Sequence, residues 1–303
     1  MKPVLFSLHA PEDLRDSMLA SGAFEDGRFE HRRFPDGESY LRLDTPVEDR
    51  AVGLLCSLDR PDERLMALLL AADAARHQGA HQLGLVAPYL AYMRQDRAFR
   101  RGEAISAISF AALLSRHFDW LVTLEPHLHR IRNLGDVFSI PAHAAQASGP
   151  IGDWIKRNVE RPFLIGPDSE SAPWIERIAE QVGAAFSVLE KERLGDRTVR
   201  ITGSHGGLQQ DMTPVVVDDI VSSGGTMAAI IERIAQDAGL PAVYIAVHAL
   251  ADPLTVRVAG SRALARFVSC NSVRHPSNSI DICEPLLLEA CELVARTSAR
   301  HRL

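Results

Sequence analysis

Short apolar runs alternate with longer amphipathic stretches through the first half of the chain. These runs have the composition of strands buried on both faces of a parallel sheet, and they lie at 4–8, 52–56, 83–87 and 121–124. Between them, residues 63–77 and 103–117 carry apolar side chains at helical spacing, and Gly79 suits a helix C-cap. The succession of strand, helix and strand predicts βαβ units and hence a parallel sheet.

The same alternation restarts after residues 141–152, which are small, uncharged and rich in helix breakers and form the best candidate for a linker. Further strand patterns lie at 163–165, 215–217, 243–248 and 267–270, with helices at 153–158 and 285–297. We therefore expect an α/β fold of two domains, 1–145 and 146–303. Each domain is expected to be a largely parallel sheet flanked by helices, with the last helix packing between the two.

Residues 214–227, PVVVDDIVSSGGTM, hold the strongest candidate chemistry. A β-branched run ends in the acid pair Asp218 and Asp219, and a helical pattern follows a loop of small residues, Ser222, Ser223, Gly224, Gly225 and Thr226. Small residues let backbone N–H groups close around a phosphate at a helix N-terminus, and adjacent carboxylates suit ribose hydroxyls or a hydrated divalent ion. We favour a site for a phosphorylated sugar over the alternative, a buried strand with an ordinary acidic turn.

A cluster of arginines follows the strand predicted at 83–87. Residues 89–102 contain Arg94, Arg97, Arg100 and Arg101 in a protein that is acidic overall. Such a cluster is commonly a solvated charge run. Its place at the carboxyl end of a strand, where open α/β sheets bind ligands, favours a polyphosphate instead.

Two further strand ends carry polar side chains. Glu-Pro-His-Leu-His at 125–129 puts His127 and His129 on the same side of an extended chain. A metal site and a structural histidine pair are equally good interpretations of that pattern. Gly-Pro-Asp-Ser-Glu-Ser at 166–171 is another loop of acids and small polar residues where a ligand would bind.

Two segments have the pattern of hairpins. Residues 28–43 predict two strands joined by a Pro-Asp-Gly turn, in which Pro35 favours a type I or II turn. Glu38 follows this turn, and the pattern alone predicts a solvated carboxylate there. Residues 191–200 suit either an exposed hairpin or a lid carrying cations, because they include Arg193, Gly195 and Arg197.

Composition narrows the class of protein. The net charge of −6 and the pI near 6.1 argue against a general nucleic-acid binder, which would be basic. The apolar N-terminal run is broken by polar residues, so no signal peptide is expected, and no uncharged stretch approaches the length of a membrane span. The four cysteines show no C-x-x-C pairing, which predicts reduced, mostly buried thiols in a cytoplasmic protein.

With these segments assembled, the chain resembles the ribose-phosphate pyrophosphokinases, the enzymes that make phosphoribosyl pyrophosphate. The segments that carry the resemblance occur in the family's order and are RFPDGE at 33–38, PYLAYMRQDR at 88–97, EPHLH at 125–129, GPDSES at 166–171, EKERLGDR at 190–197 and VVVDDIVSSGGT at 215–226. One motif would be weak, because phosphoribosyltransferases share the last segment. Six motifs in the family's order make the resemblance specific. The resemblance implies two phosphoribosyltransferase-type (type I) domains and a homo-oligomer, either a dimer or an assembly based on dimers.

The resemblance implies that the first domain binds ATP. The residues that would contact adenine, in the site of a neighbouring subunit, are Phe34, Asp36 and Glu38. Those that would hold the ATP phosphates are Arg94, Gln95 and Arg97. His127 would bind the Mg²⁺ attached to ATP, and Asp168, in the second domain, would lie near a second metal ion or the ribose.

The second domain would bind ribose 5-phosphate. Asp218 and Asp219 would hold the ribose hydroxyls, and residues 222–226 would hold the 5-phosphate. Lys191 and Arg193 would close over the reacting phosphates as the catalytic cations. The implied reaction is attack of the ribose C1 hydroxyl on the β-phosphorus of ATP, which releases AMP, so catalysis depends on positioning and on neutralisation of charge.

The chain also departs from the family pattern in several places. The N-terminal segment SLHAPEDL lacks the usual small residues, SSGGT replaces a commoner loop, and the neighbours of His127 differ. Two other functions stay open at this point. A phosphoribosyltransferase would explain Asp218, Asp219 and residues 222–226 but leave the first domain unused. A catalytically silent paralogue, acting as a regulatory subunit, is disfavoured by the presence of Lys191 and the other site residues.

Overall fold

The computed structural model of the protein describes residues 1–193, 199–202, 206–259 and 263–300, and for residues 190–193, 199–202, 257–259 and 298–300 it describes the backbone alone. The chain forms two compact units. The first comprises Met1–Ala145 together with Cys283–Leu303, and the second comprises Gln146–Ile282. The last helix, which the sequence pattern assigned to the second half, is therefore part of the first unit. Within the described residues, no helix is both long and apolar enough to span a bilayer.

The elements before the unit boundary are the strands β1 (Val4–His9), β2 (Glu25–Asp26), β3 (Phe29–Arg33), β4 (Ser39–Leu43), β5 (Ala51–Cys56), β6 (Gln82–Ala87), β7 (Trp120–Leu124) and β8 (Ala142–Ala145) and the helices α1 (Glu12–Ala20), α2 (Pro61–His77) and α3 (Ser106–His117). Those after it are the strands β9 (Pro162–Gly166), β10 (Ala185–Val188), β11 (Glu190–Arg193), β12 (Val199–Thr202), β13 (Thr213–Val221), β14 (Ala242–Ala249), β15 (Leu264–Cys270) and β16 (Asn278–Ile280) and the helices α4 (Ser148–Asn158), α5 (Ala172–Val182), α6 (Gly225–Ala238), α7 (Pro253–Ala259) and α8 (Cys283–Arg300).

Each unit contains a wholly parallel six-stranded sheet, as the strand–helix alternation predicts. The strand order is β2-β1-β5-β6-β7-β8 in the first unit and β10-β9-β13-β14-β15-β16 in the second. Counted along the chain within each unit, the two orders are the same. Each unit also has an antiparallel hairpin between the second and third strands of its sheet, counted along the chain. This hairpin is β3–β4 in the first unit and β11–β12 in the second. The two units therefore share one topology.

The strands at the centre of the first sheet are buried along their whole length, which is why their sequences are nearly continuous apolar runs. Gly84 on β6 pairs in register with Trp120 on β7, whose side chain is fully buried. A Cβ atom on Gly84 would lie 1.9 Å from Cε2 of Trp120. Because Gly84 has no side chain, the indole of Trp120 can lie over β6.

Helix α8 completes the first unit. It packs against β6, β7, β8 and α1 through a buried stripe formed by Leu286, Ala290 and Leu293. Gln82 Nε2 adds a hydrogen bond of 3.4 Å to the carbonyl oxygen of Leu293. In the second unit α4, which follows β8 in the chain, packs on α5 and β16. The helix after each sheet's last strand thus belongs to the other unit.

The strand and helix predictions for the central elements are confirmed, but the predicted linker is regular structure. Residues 141–152 include β8 and the first turns of α4, and the unit boundary falls between these two elements. The sequence of β8, Ala-His-Ala-Ala, carries little hydrophobicity because the strand lies at the sheet edge and is held mainly by its pairing with β7. Three of the four cysteines are buried and Cys291 is exposed, so the expectation of mostly buried thiols is confirmed.

Candidate active site

The acid pair lies at the carboxyl end of β13. Asp218 is 8% exposed, and its two carboxylate oxygens accept hydrogen bonds from Tyr244 Oη (2.6 Å) and from the backbone N–H of Asp219 (3.0 Å). Burial, together with the charge of Asp218 and the hydrogen bond to it, raises the pKa of Tyr244 well above its ordinary value. The phenol therefore stays protonated and remains a donor to a buried carboxylate.

The small-residue loop turns the chain from β13 into α6. Ser222 and Ser223 are exposed, whereas Gly224 is buried with φ of +73°, a left-handed conformation that suits glycine. Helix α6 begins at the next residue, and its first bond runs from Ala228 N–H to the carbonyl of Gly224 at 2.9 Å. The first N–H groups of a helix lack acceptors within the helix. The loop thus offers N–H donors and the positive end of a helix, two features that suit a phosphate.

Asp168 follows β9, the strand beside β13. Its Oδ1 accepts a hydrogen bond of 3.3 Å from Ser171 N–H, and Ser171 Oγ donates one of 2.5 Å to the Asp168 carbonyl. Gly166 permits this close turn, since a Cβ atom there would lie 2.4 Å from Ser171 Oγ. The charge of Asp168 also helps to raise the pKa of Tyr244, after burial and the larger effects of Asp218. Asp168 and Asp218 therefore belong to one acidic neighbourhood at the same edge of the sheet.

Lys191 and Arg193 lie on β11, where Lys191 pairs with Ile201 of the antiparallel strand β12. Their side chains lie outside the part of the chain that is described, as do Gly195 and Arg197 altogether. The backbone before them is fixed, since Leu189 N–H donates to the Gly166 carbonyl at 2.9 Å. The β11–β12 hairpin thus begins beside β9, at the edge of the sheet where Asp168 lies.

In the first unit, the arginine-rich segment is a loop anchored by Asp96, and its exposed arginines are compatible with either interpretation of the cluster. The Asp96 carboxylate is 1% exposed, accepts a hydrogen bond of 3.1 Å from Arg130 N–H, and lies 3.0 Å from Arg130 Nη1. Burial works to raise the pKa of Asp96, but the hydrogen bonds and charge of Arg130 outweigh it and lower that pKa. Arg94 and Arg97 are exposed on this loop, and Gln95 is half-buried.

An exposed phenyl ring stands among these cations. Phe99 is 58% exposed, with the guanidinium carbon of Arg97 4.9 Å from its ring centroid and that of Arg130 5.9 Å away. The Glu103 carboxylate accepts hydrogen bonds from the N–H groups of Phe99 (2.7 Å) and Arg100 (3.0 Å). These contacts hold the backbone of the loop around Phe99 in a defined shape.

The two histidines lie together after β7. The ring centroids of His127 and His129 are 4.4 Å apart and the rings are nearly perpendicular, as the extended i, i+2 pattern predicts. Glu125, which starts this segment, has φ of +33° and donates its N–H to the Ala145 carbonyl at 3.0 Å. The chain thus bends sharply at the strand end and displays both imidazoles beyond it.

The predicted Pro-Asp-Gly turn joins β3 to β4. Asp36 Oδ1 accepts the N–H of Glu38 at 3.1 Å, and Gly37 takes a φ of +95°. Phe34 is 40% exposed, and the guanidinium of Arg32 lies 4.7 Å from its ring centroid. The hairpin tip therefore offers an aromatic face and two carboxylates to a ligand.

Two residues that the sequence analysis missed organise these sites. Tyr244 holds Asp218, and the signal was a hydroxyl within β14, a mostly apolar strand whose other polar side chain is His248. Arg130 holds Asp96 and contacts Phe99, and the signal was a cation directly after the His127–His129 segment. The structure brings Asp168, Asp218, Asp219 and the 222–226 loop to one sheet edge of the second unit, and the arginine loop and histidines to strand ends of the first.

Comparison with known proteins agrees with this division. Residues 3–117 match the family model of the N-terminal domain of ribose phosphate pyrophosphokinase, and residues 138–255 match the phosphoribosyl transferase domain. A solved structure of phosphoribosylpyrophosphate synthetase from Mycobacterium smegmatis shares the fold, with a TM-score of 0.82, 23% identity and coverage of 98% of this chain and 100% of that one.

Curated relatives cover most of the chain. The ribose-phosphate pyrophosphokinase of Saccharolobus solfataricus is 37% identical over 229 residues, which are 74% of this chain and 77% of that protein. Those of Methanopyrus kandleri and Methanobrevibacter smithii are 33% and 30% identical and cover 85% and 92% of this chain, or 88% and 94% of their own lengths. The chain belongs to the ribose-phosphate pyrophosphokinase family.

Proposed function

We propose that the protein transfers the pyrophosphoryl group of ATP to the C1 hydroxyl of ribose 5-phosphate, giving phosphoribosyl pyrophosphate and AMP. The observation that carries the proposal is the arrangement after β13. A buried carboxylate held by Tyr244 stands before a left-handed Gly224, which opens directly into the N-terminus of α6. This arrangement suits a sugar phosphate, and membership of the family supports the choice of ribose 5-phosphate.

The second unit would bind the sugar. Asp218 and Asp219 would accept hydrogen bonds from the ribose hydroxyls, because ionised carboxylates are acceptors only. The N–H groups and hydroxyls of residues 222–226 would hold the 5-phosphate, whose charge is stabilised by the positive end of α6. With Asp218 fixed by Tyr244, the sugar meets a preorganised acceptor and little binding energy is lost in ordering it.

The first unit would bind ATP. Arg94, Gln95 and Arg97 would hold the phosphates, since guanidinium groups make paired hydrogen bonds to phosphate oxygens. Phe34, Asp36 and Glu38 would contact adenine by aromatic packing and hydrogen bonds. In a homo-oligomer, this hairpin tip would serve the site of a neighbouring subunit.

The chain's donor set also suits Mg²⁺. His127, half-buried after β7, would hold the ion that accompanies ATP, and the carboxylate of Asp168 would hold a second ion or the ribose. Carboxylate and phosphate oxygens are the ligands that Mg²⁺ prefers, with water completing its coordination. When bound, Mg²⁺ supplies positive charge to the phosphate oxygens of the transition state.

In the reaction, the C1 oxygen of ribose bonds to the β-phosphorus of ATP, and the bond from that phosphorus to the oxygen bridging the α- and β-phosphates breaks. AMP leaves with the bridging oxygen, and the hydroxyl proton is released to solvent. Lys191 and Arg193 would stabilise the charge that develops on the transferred group. The chain contributes little covalent chemistry, so alignment of the two substrates provides most of the rate enhancement.

A phosphoribosyltransferase is not favoured, because the N-terminal domain of the pyrophosphokinases matches residues 3–117 and would be idle in such an enzyme. The purified protein is tested with Mg²⁺, ribose 5-phosphate and ATP labelled in the β-phosphate. We expect AMP, with the label in an acid-labile sugar pyrophosphate. Formation of ADP contradicts the proposal, and no nucleotide turnover supports a silent paralogue.

A further inference from the structure

Three side chains of types that can bind metal ions meet on the first unit, away from the strand ends that carry the proposed ATP residues. They are His143 on β8 and Glu289 and Glu292 on α8, and one ligand atom of each lies within 4.8 Å of those of the other two. His143 Nδ1 is 2.6 Å from Glu289 Oε2. The side chains are 26%, 33% and 44% exposed, in the same order, so an ion and its water ligands can reach them.

Regular structure holds these ligands in place. His143, on the edge strand β8, pairs in register with Val122 of β7. Glu289 and Glu292 are three residues apart, which places them on one face of α8, and the buried stripe of that helix is packed against β6, β7 and β8. The backbone positions that carry the three ligands are thus fixed relative to one another.

The ligand side chains themselves carry negative charge, while Arg76, Arg116 and Arg296 also line the cavity beside His143. Two carboxylates face one imidazole, and one of them, Glu292, forms an ion pair of 2.6 Å with Arg296. The negative charge of the other carboxylate, Glu289, faces the imidazole of His143, with Glu289 Oε2 2.6 Å from His143 Nδ1. A dication bound by all three ligands offsets that charge, while Arg296, whose side chain is 67% exposed, can stay on an outer oxygen of Glu292.

We propose that His143, Glu289 and Glu292 form a binding site for a divalent transition-metal ion of the Zn²⁺ class. One imidazole and two carboxylates, with open positions for water, form a three-ligand set that suits Zn²⁺. An imidazole with two carboxylates is a mixed nitrogen and oxygen ligand set of the kind that Zn²⁺ takes. The site shares no residue with the Mg²⁺ sites of the proposed reaction, in which one imidazole would accompany phosphate oxygens, and it does not depend on that reaction.

The bound ion links the last helix to the sheet of its own unit. His143 and Glu289 are 146 residues apart in the chain, and Glu292 is farther still from His143, so the unfolded chain does not hold the ligands together. An ion that binds only the folded unit stabilises it by mass action. The ion thus cross-links β8 and α8.

The test uses the full chain stripped of metal with EDTA, without nucleotide or sugar. Zn²⁺ binding is measured by calorimetry and the absorption spectrum of Co²⁺ is recorded, for the wild type, His143→Ala and Glu289→Gln. The control is His77→Ala on α2, because His77 also lies near a carboxylate, that of Asp73, at 3.7 Å. Circular dichroism of each variant establishes that it folds. If His143→Ala does not fold, the test rests on the Zn²⁺ affinity of Glu289→Gln.

We expect the wild type and His77→Ala to bind Zn²⁺ with a histidine–carboxylate Co²⁺ spectrum and to melt at higher temperature when Zn²⁺ is added. The two site variants lose one equivalent of Zn²⁺ or bind it at least roughly 10- to 100-fold more weakly, the loss typical of damage to a metal's ligand shell. Equal Zn²⁺ affinity in all four proteins, or no saturable Zn²⁺ binding by the wild type, overturns the proposal. Displacement of Zn²⁺ by equimolar Mg²⁺ also overturns it.

Discussion

Tyr244 donates a hydrogen bond of 2.6 Å to Asp218 across two neighbouring strands of the second sheet. Both residues are buried, and the phenol keeps its proton because burial and the adjacent carboxylate raise its pKa. A carboxylate removed from water needs such a donor to stay ionised. The strength of the proposed sugar site therefore depends on a residue that does not itself have to touch the sugar.

Removing the phenol hydroxyl tests this dependence. A hydrogen bond to a charged group is worth about 1.5–3 kcal/mol, so Tyr244→Phe is expected to lower kcat/KM for ribose 5-phosphate by roughly 10- to 100-fold, with KM for ATP unchanged. Steady-state kinetics, in which each substrate is varied in turn, measures kcat/KM for ribose 5-phosphate and KM for ATP separately. In a double-mutant cycle with Asp218→Asn, the double variant should be no worse than Asp218→Asn alone, and additive losses contradict the coupling.

Lys191→Ala tests the proposed catalytic cation. Loss of one preorganised charged donor costs roughly 2.7–4 kcal/mol of transition-state stabilisation, so kcat should fall about 100- to 1000-fold. The dissociation constant of ATP, measured by calorimetry, should change little, because the charge acts on the transferred group. Lys156→Ala, in the exposed last turn of α4, is the matched control. Unchanged turnover in Lys191→Ala would remove this residue from the mechanism.

Gly84→Ala tests the packing of the first sheet. A methyl group 1.9 Å from Trp120 forces strand or indole to move, and overpacking of this kind costs about 1–3 kcal/mol or more. Chemical denaturation should show the loss as a lower midpoint. Gly149→Ala on α4 is the control, since its new Cβ meets no atom within 4 Å and alanine favours a helix. A Gly84→Ala protein as stable as the wild type would contradict the packing argument.

Acid should destabilise the first unit through His9. Burial first, then the charges of Arg64, His31 and Arg33, lower the pKa of His9 from 6.5 to about 4. Between these values the unfolded chain binds a proton that the folded chain does not, so the free energy of unfolding falls as pH drops from 6.5 to about 4.

Denaturant titrations across that range measure the effect. Residue 9 cannot titrate in His9→Gln. The free energy of unfolding of this variant should therefore fall less steeply with decreasing pH than that of the wild type. His77→Gln is the control, because the side chain of His77 is 78% exposed. Identical pH profiles for the wild type and His9→Gln would show that burial of His9 has no influence on stability.

A fragment of residues 1–145 should be less stable than the first unit of the intact chain. It lacks α8, so the apolar surface that Leu286, Ala290 and Leu293 cover would face water. We expect a broad thermal transition by circular dichroism, sharpened by a peptide of residues 283–300. A cooperative transition of the fragment alone at the temperature of the intact protein would contradict the role of α8. The fragment 146–282, which retains its own α4, is the comparison.

Local sequence signals predicted the elements whose hydrophobic pattern is strong. The β-branched run at 215–217 and the apolar run of β6 determine buried parallel strands by their composition alone, and the Pro-Asp-Gly turn determines the β3–β4 hairpin. Strand β8 was missed because an edge strand of small residues is held by pairing, which a local pattern does not record.

The candidate sites were predictable where their residues are close together in the sequence, as for Asp218, Asp219 and the loop before α6. The partners that hold them were not. Tyr244 is 26 residues from Asp218, and Arg130 is 34 residues from Asp96. Only the register of neighbouring strands and the course of the loops bring these pairs together. The assignment of α8 to the first unit is likewise a property of the tertiary fold.

The place of α8 also sets the order in which the protein can be completed on the ribosome. Cys283 is synthesised 138 residues after Ala145, which takes roughly 7–28 s at about 5–20 residues per second. During that interval the nascent first unit has an uncovered apolar face, although every strand of its sheet has already been made. The second unit, with all of its helices encoded between residues 146 and 282, can close before the first. Nascent chains stalled before residue 283 should therefore be the form that chaperones bind most.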